Sequence, residues 1–120
     1  MANPFVHVEL NTTDTKKAEA FYTHLFEWKL EPMSMGKDTY SVIKVGDGTG
    51  GGIMKNPVPG APSHWLAYVL VGDIHATTAK VKTLGGKVVK DVTEVPGMGW
   101  YSVISDPTGA TLGLWKTMTK

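Results

Sequence analysis

The sequence contains no cysteine, which excludes disulfide staples, thiolate metal sites, iron–sulfur ligation and a cysteine nucleophile. It contains no arginine either: all 12 basic residues are lysine. The planar fork that grips phosphates and guanines is therefore missing, and with 11 acidic residues leaving a formal charge of only +1, no nucleic-acid partner is expected. No stretch approaches the ~20 apolar residues that cross a bilayer. The start, Met1-Ala2-Asn3-Pro4, has neither a charged segment nor an apolar run. Together these absences point to a soluble, untargeted, cytoplasmic chain with no membrane partner. What is present is 120 residues, 42% of them hydrophobic, enough for one domain with a real core and too few for two independent ones.

Phe5 to Leu10 (FVHVEL) alternates as a strand and runs into Asn11-Thr12-Thr13-Asp14, whose side chains can cap a helix. Ala18, Phe21, Tyr22, Leu25 and Phe26 then follow the i, i+3, i+4, i+7, i+8 spacing of one buried helical face. Trp28 begins a return segment, and Thr39 to Val45 and Gly51 to Lys55 predict two further strands. The proline-rich run Asn56-Pro57-Val58-Pro59-Gly60-Ala61-Pro62 can continue neither helix nor sheet and marks a junction. Beyond it the order repeats: a strand from His64 to Val71, a helix opened by Asp73 and stopped at Gly85-Gly86, and strands at Lys87 to Val95, Trp100 to Ser105 and Ala110 to Lys116. The tetrapeptide Tyr40-Ser41-Val42-Ile43 recurs as Tyr101-Ser102-Val103-Ile104, and Asp14 corresponds to Asp73. Duplication explains both matches, and predicts an α+β domain of two βαβββ modules, about residues 1–58 and 63–120, whose mixed sheet curls around a cleft.

The strand reaching Asp14, the helix ending Phe21-Tyr22 with Leu25-Phe26 and Trp28, the later His64-Trp65-Leu66-Ala67-Tyr68-Val69, Leu84-Gly85-Gly86 and Asp106-Pro107-Thr108-Gly109-Ala110-Thr111 together resemble the vicinal oxygen chelate superfamily. This is the family of glyoxalase I, bleomycin-resistance proteins, fosfomycin-resistance enzymes and extradiol dioxygenases. The resemblance implies paired βαβββ modules and, as a rule, a homodimer. It also implies a divalent metal in the metal-dependent members, held by residues on the first and last strands of each module. Carried over one position at a time, His7 matches, its counterpart is Leu66, the closing position falls on Gly113, and the remaining one falls near Gly52 or Met54. One ligand of four survives, and a catalytic metal site generally needs about three from the protein. The expectation is a chain without the family's metal and with no other cofactor.

Alternation places Val6, Val8 and Leu10 toward the helix and Phe5, His7 and Glu9 on the opposite face. His7 can serve as acid or base near neutral pH, and Glu9 can orient it or take a proton directly. By repetition Leu66, Tyr68, Thr111, Gly113 and Trp115 share the corresponding face, with Trp65 turned the other way. Phe5, His7, Glu9, Tyr68 and Trp115 are therefore the expected lining of one concave small-molecule site, with His7 and Glu9 as its catalytic candidates. His64, two residues before the vacated Leu66 position, reads as a turn residue. Gly46-Asp47-Gly48-Thr49-Gly50-Gly51 fits the letters of a nucleotide loop but opens no helix, and predicts a hairpin. Lys16-Lys17 and Lys80 with Lys82 read as solvated helix faces. The function expected is capture of a small organic molecule, as in bleomycin-resistance proteins. The alternative is a metal-dependent glyoxalase-like lyase, isomerase or dioxygenase in which His7 and Glu9 work with His64 or a partner-chain residue.

Overall fold

The computed structural model describes residues 2–35 and 38–118. In chain order it contains β1 (Phe5–Thr12), α1 (Thr15–Leu25), β2 (Lys29–Met35), β3 (Asp38–Lys44), β4 (Gly51–Lys55), β5 (His64–Leu70), α2 (Ile74–Thr83), β6 (Lys87–Val95), β7 (Gly99–Ser105) and β8 (Thr111–Thr117). This is a mixed α+β architecture in which strand, helix and three strands occur twice. Each helix starts at the aspartate that can satisfy its orphan amides: Asp14 accepts from the Lys17 N–H and Asp73 from the Ala76 N–H, both at 3.0 Å. α2 ends at Gly85, whose φ of +89° suits a residue without a β-carbon. The glycine run after β3 turns the chain into β4, as expected of a hairpin, and no helix follows it.

Two compact units form, residues 7–66 and residues 2–6 joined with 67–118. In the first, the strands lie in the order β2-β3-β4-β1. β1 and β4 run parallel with Glu9 opposite Gly52, and β3 runs antiparallel to β4 with Val42 opposite the same glycine. In the second the order is β5-β8-β7-β6, with β5 parallel to β8, Tyr68 opposite Gly113, and Tyr101 opposite Trp115 on the antiparallel β7–β8 pair. The first residues of the chain are tied into this second unit, where the Leu70 N–H donates to the Pro4 carbonyl at 2.9 Å and the Asn3 amide donates to the Leu70 carbonyl at 2.9 Å.

Each unit has its own core. Leu10, Ile43 and Ile53 are buried beneath Ala18, Tyr22, Trp28, Leu30 and Val45 in the first; Val71, Ile74 and Leu114 are buried with Val92, Trp100 and Ile104 in the second. The duplication reaches into these contacts. Ile53 and Leu114 occupy corresponding places, and so do two helix-to-sheet hydrogen bonds: the Ser41 hydroxyl donates to Glu19 at 2.9 Å, and the buried Thr78 and Ser102 hydroxyls lie 2.9 Å apart. No helix among the described residues is long and apolar enough to cross a membrane.

The apolar stripe expected to be buried along α1 is only partly so. Ala18 and Tyr22 pack on the core, but Phe21, Leu25 and Phe26 are exposed, Phe21 at 59%. The Glu19–Ser41 bond explains the difference, because it turns the helix so that its contact face centres between Glu19 and Tyr22. Phe21 and Leu25 lie on the far side of Ala18 and swing outward. Phe26, past the helix end, keeps ring contacts to Trp28 at 4.8 Å and to Tyr22 at 6.4 Å.

Ile53 is fully buried at the centre of the first core. Replacing it with alanine removes most of a side chain that nothing else can fill, and Ile53→Ala is expected to destabilise the chain by roughly 2–4 kcal/mol. Urea denaturation measures this, and a loss under ~1 kcal/mol would show that the core collapses around the gap.

Candidate functional site

β1 presents two chemistries on its two faces. Leu10 enters the core beneath α1, and Val8 joins Trp28, Ile43, Val45, Gly51 and Trp65 around an apolar cavity of about 300 Å³ on the same side. Trp65 sits there because its ring meets Tyr22 and Trp28 edge-on, at 5.4 and 6.2 Å. On the opposite face are His7 and Glu9, and a third residue joins them. The hydroxyl of Tyr40, from β3, lies 2.6 Å from His7 Nε2 and donates to Glu9 Oε2 at 2.9 Å. Tyr40 reaches them by crossing over Gly52 of β4, where an added β-carbon would overlap the phenol.

Glu9 is buried, at 8% exposure, and a buried carboxylate is tolerable only when its oxygens are hydrogen-bonded. Tyr40 meets that requirement in part. Burial also acts on His7, holding its pKa below the usual 6.5 because the charged imidazolium is poorly solvated there. The group is thus an imidazole, a phenol hydroxyl and a carboxyl group in one continuous hydrogen-bonded chain. Such a chain can orient a ligand by hydrogen bonds and exchange a proton with it near neutral pH.

In the second unit the corresponding face carries rings. Tyr68 is buried with its ring over Gly113, where a β-carbon would collide with it, and meets Tyr101 edge-on with centroids 6.4 Å apart. Trp115 is half-buried, and its indole N–H donates to the Thr117 hydroxyl at 3.1 Å. Phe5 is exposed at 62%. His64 opens β5, its Nδ1 lying 2.9 Å from the Pro62 carbonyl. Tyr40 is the functional candidate that the pattern alone missed. It belongs to the repeated tetrapeptide, and nothing in that repeat says that its side chain spans a neighbouring strand.

The residues present do not suit a divalent ion. Among the described residues no three histidine, aspartate or glutamate side chains gather into one group. A metal bonded to a histidine nitrogen sits at ~2.0–2.1 Å, and at His7 Nε2 it would have to displace the Tyr40 hydroxyl. Gly113, at the family's closing ligand position, and Gly52, near the remaining one together with Met54, each lie under a tyrosine ring.

Residues 5–114 match the model of the Glyoxalase/Bleomycin resistance protein/Dioxygenase superfamily. The chain belongs to this superfamily. A relative from Mycobacterium tuberculosis, "Putative glyoxylase CFP32", is 38% identical over 109 residues, covering 90% of this chain and 42% of its own. The anthracycline biosynthesis protein DauV of a Streptomyces species is 26% identical over 123 residues, covering 90% of this chain and 45% of its own. The chain therefore spans less than half the length of the curated relatives it matches. Methylmalonyl-CoA epimerase from Mycobacterium tuberculosis shares the fold, with a TM-score of 0.72 at 14% identity over 96% of this chain and 88% of that one.

The burial of His7 has a consequence for stability. Its native pKa lies below the unfolded value of 6.5, so at acidic pH the unfolded state binds a proton that the native state does not, and stability falls as pH falls. Unfolding free energies measured from about pH 8 down to about pH 5 should decline below ~6.5. The groups facing the imidazole, Glu9 and Tyr40, remain in His7→Gln, so this variant should flatten the decline; a slope equal to that of the unaltered chain would show that His7 is not its source.

Proposed function

We propose that this superfamily member binds a small organic molecule against the sheet face that carries His7, Tyr40 and Glu9, and does so without a divalent metal. The observation that supports this most is the Tyr40 hydroxyl, hydrogen-bonded at once to His7 and Glu9 across Gly52. It occupies the lone pair or proton of the one side chain that matches a family metal ligand. His7 is then the group that exchanges a proton with the bound molecule, and Glu9, through Tyr40, balances the charge that forms on it. In the second module Tyr68, Trp115 and the exposed Phe5 are proposed as separate ring contacts, each open to its own substitution. The chain is further proposed to work as a cytoplasmic homodimer, on the family resemblance and the cysteine-free composition.

Likeness to a relative named a glyoxylase favours one competing reading, a metal-dependent lyase or isomerase using His7 and Glu9. Metal analysis after exhaustive dialysis separates the two. Less than one zinc, nickel, manganese or iron per ten chains is expected, and one per chain, lost in His7→Ala, would establish the competitor. Thermal-shift screening with an anthracycline and methylmalonyl-CoA among the probes tests the site. A ligand present at 100 times its dissociation constant stabilises by about 2.7 kcal/mol, a shift of several degrees. His7→Ala and Glu9→Ala should abolish that shift, and a shift that survives both places binding elsewhere. Light scattering at micromolar concentration should report twice the chain mass; a monomer would remove the dimer.

A further inference from the structure

The cavity on the helix side of the first module takes no part in the group around His7, because it lies on the other face of β1. Its volume is about 300 Å³, and a dry apolar cavity of ~150 Å³ already takes up benzene. The duplicated frame shows why the space is open. Ile43 lies opposite Gly51 on the β3–β4 pair, and its counterpart Ile104 lies opposite Leu112 on the β7–β8 pair. Glycine thus stands where the second module carries a leucine. A β-carbon on Gly51 would collide with the Val8 carbonyl, and one on Gly50 would come within 2.8 Å of the Ile43 carbonyl. At both positions β4 and the turn before it contribute bare backbone to the wall, and no side chain can fill the space from there.

The rest of the wall decides what fits. Among the described residues no charged side chain lines the cavity, so an ionised group seated in it would lose its hydration without gaining a partner. Trp28 and Trp65 both line it, with ring planes at 76° and centroids 6.2 Å apart. Trp65 is 40% exposed. A flat ring laid on the Trp65 indole therefore stands close to perpendicular to Trp28. Offset stacking and an edge-to-face contact, the two geometries that aromatic pairs prefer, come together in one pose.

We propose that this cavity is a second binding site, separate from the His7 face, for an uncharged planar aromatic molecule of about two fused rings. The ligand gains by displacing water from the apolar wall and by ring contacts with the two indoles. A saturated molecule of the same size gains only the first.

Titration of the full chain with 2-naphthol near pH 7, where this probe is neutral, tests the proposal, with decahydro-2-naphthol as the saturated counterpart. In ¹⁵N-labelled protein the assigned indole N–H signals of the four tryptophans report where each probe sits. Those of Trp28 and Trp65 should shift saturably with 2-naphthol, and decahydro-2-naphthol should bind about fivefold more weakly. Val45 lines the same cavity, and Val45→Phe should weaken 2-naphthol about tenfold by taking the ligand's space. Val45 also packs on the core, so Trp65→Leu, at an exposed position, serves as the second variant. It removes the stacking surface and should weaken 2-naphthol about fivefold, with urea denaturation checking that each variant is folded. A saturable shift confined to Trp100 or Trp115, or no saturable shift up to the solubility of 2-naphthol, would overturn the proposal. So would equal affinity for the two probes, or undiminished binding in a folded Trp65→Leu.

Discussion

A β-carbon at position 52 would overlap the phenol of Tyr40, so the phenol can lie across β4 only because glycine leaves that patch of sheet bare. Neighbouring strands are ~4.8 Å apart, and β1 is two steps from β3, a span of roughly 9.5 Å. A tyrosine bridges that span only by lying nearly flat on the intervening strand. From this follow the hydrogen bonds to His7 and Glu9 and the partial satisfaction of a buried carboxyl group. Gly52 lies in register with both Glu9 and Val42, which is why a single missing side chain can serve residues on both flanking strands.

The elements themselves were legible because each is written in a local pattern. Alternation in FVHVEL put Leu10 under the helix, and Asp14 and Asp73 announced helix starts by their chemistry, as the bonds to Lys17 and Ala76 show. The α1 stripe shows where local pattern stops. Periodicity says which residues share an arc of a helix, but the centre of the buried arc was decided by a polar contact, Glu19 with Ser41 on β3. No hydrophobic count weighs a glutamate as a docking residue.

The site was legible by face and not by neighbour. Alternation within β1 paired His7 with Glu9, yet the third member arrives from β3 through a register that only the folded sheet fixes. Gly52 was read, together with Met54, only as lying near one of the family's ligand positions. Its actual role lies in the space that the absent side chain vacates, and a glycine in a strand carries that meaning only once its neighbours are known.

The two modules show how one position can divide the labour of a duplicated frame. Gly52 and Gly113 correspond, Tyr40 corresponds to Tyr101, and Glu9 corresponds to Tyr68. In the second module the residue on the parallel neighbouring strand is Tyr68, whose own ring covers Gly113 and meets Tyr101 edge-on. In the first module that neighbour is Glu9, too small to cover Gly52, and the ring that does so comes from the other side, from Tyr40. Covering a bare glycine is the same packing problem in both halves. Solving it from β5 produces an aromatic wall without an imidazole, since His7 is matched there by Leu66. Solving it from β3 brings a hydroxyl between an imidazole and a carboxyl group, so the difference between a Glu and a Tyr at this one strand position decides whether the ring over the glycine joins a hydrogen-bonded chain to a histidine.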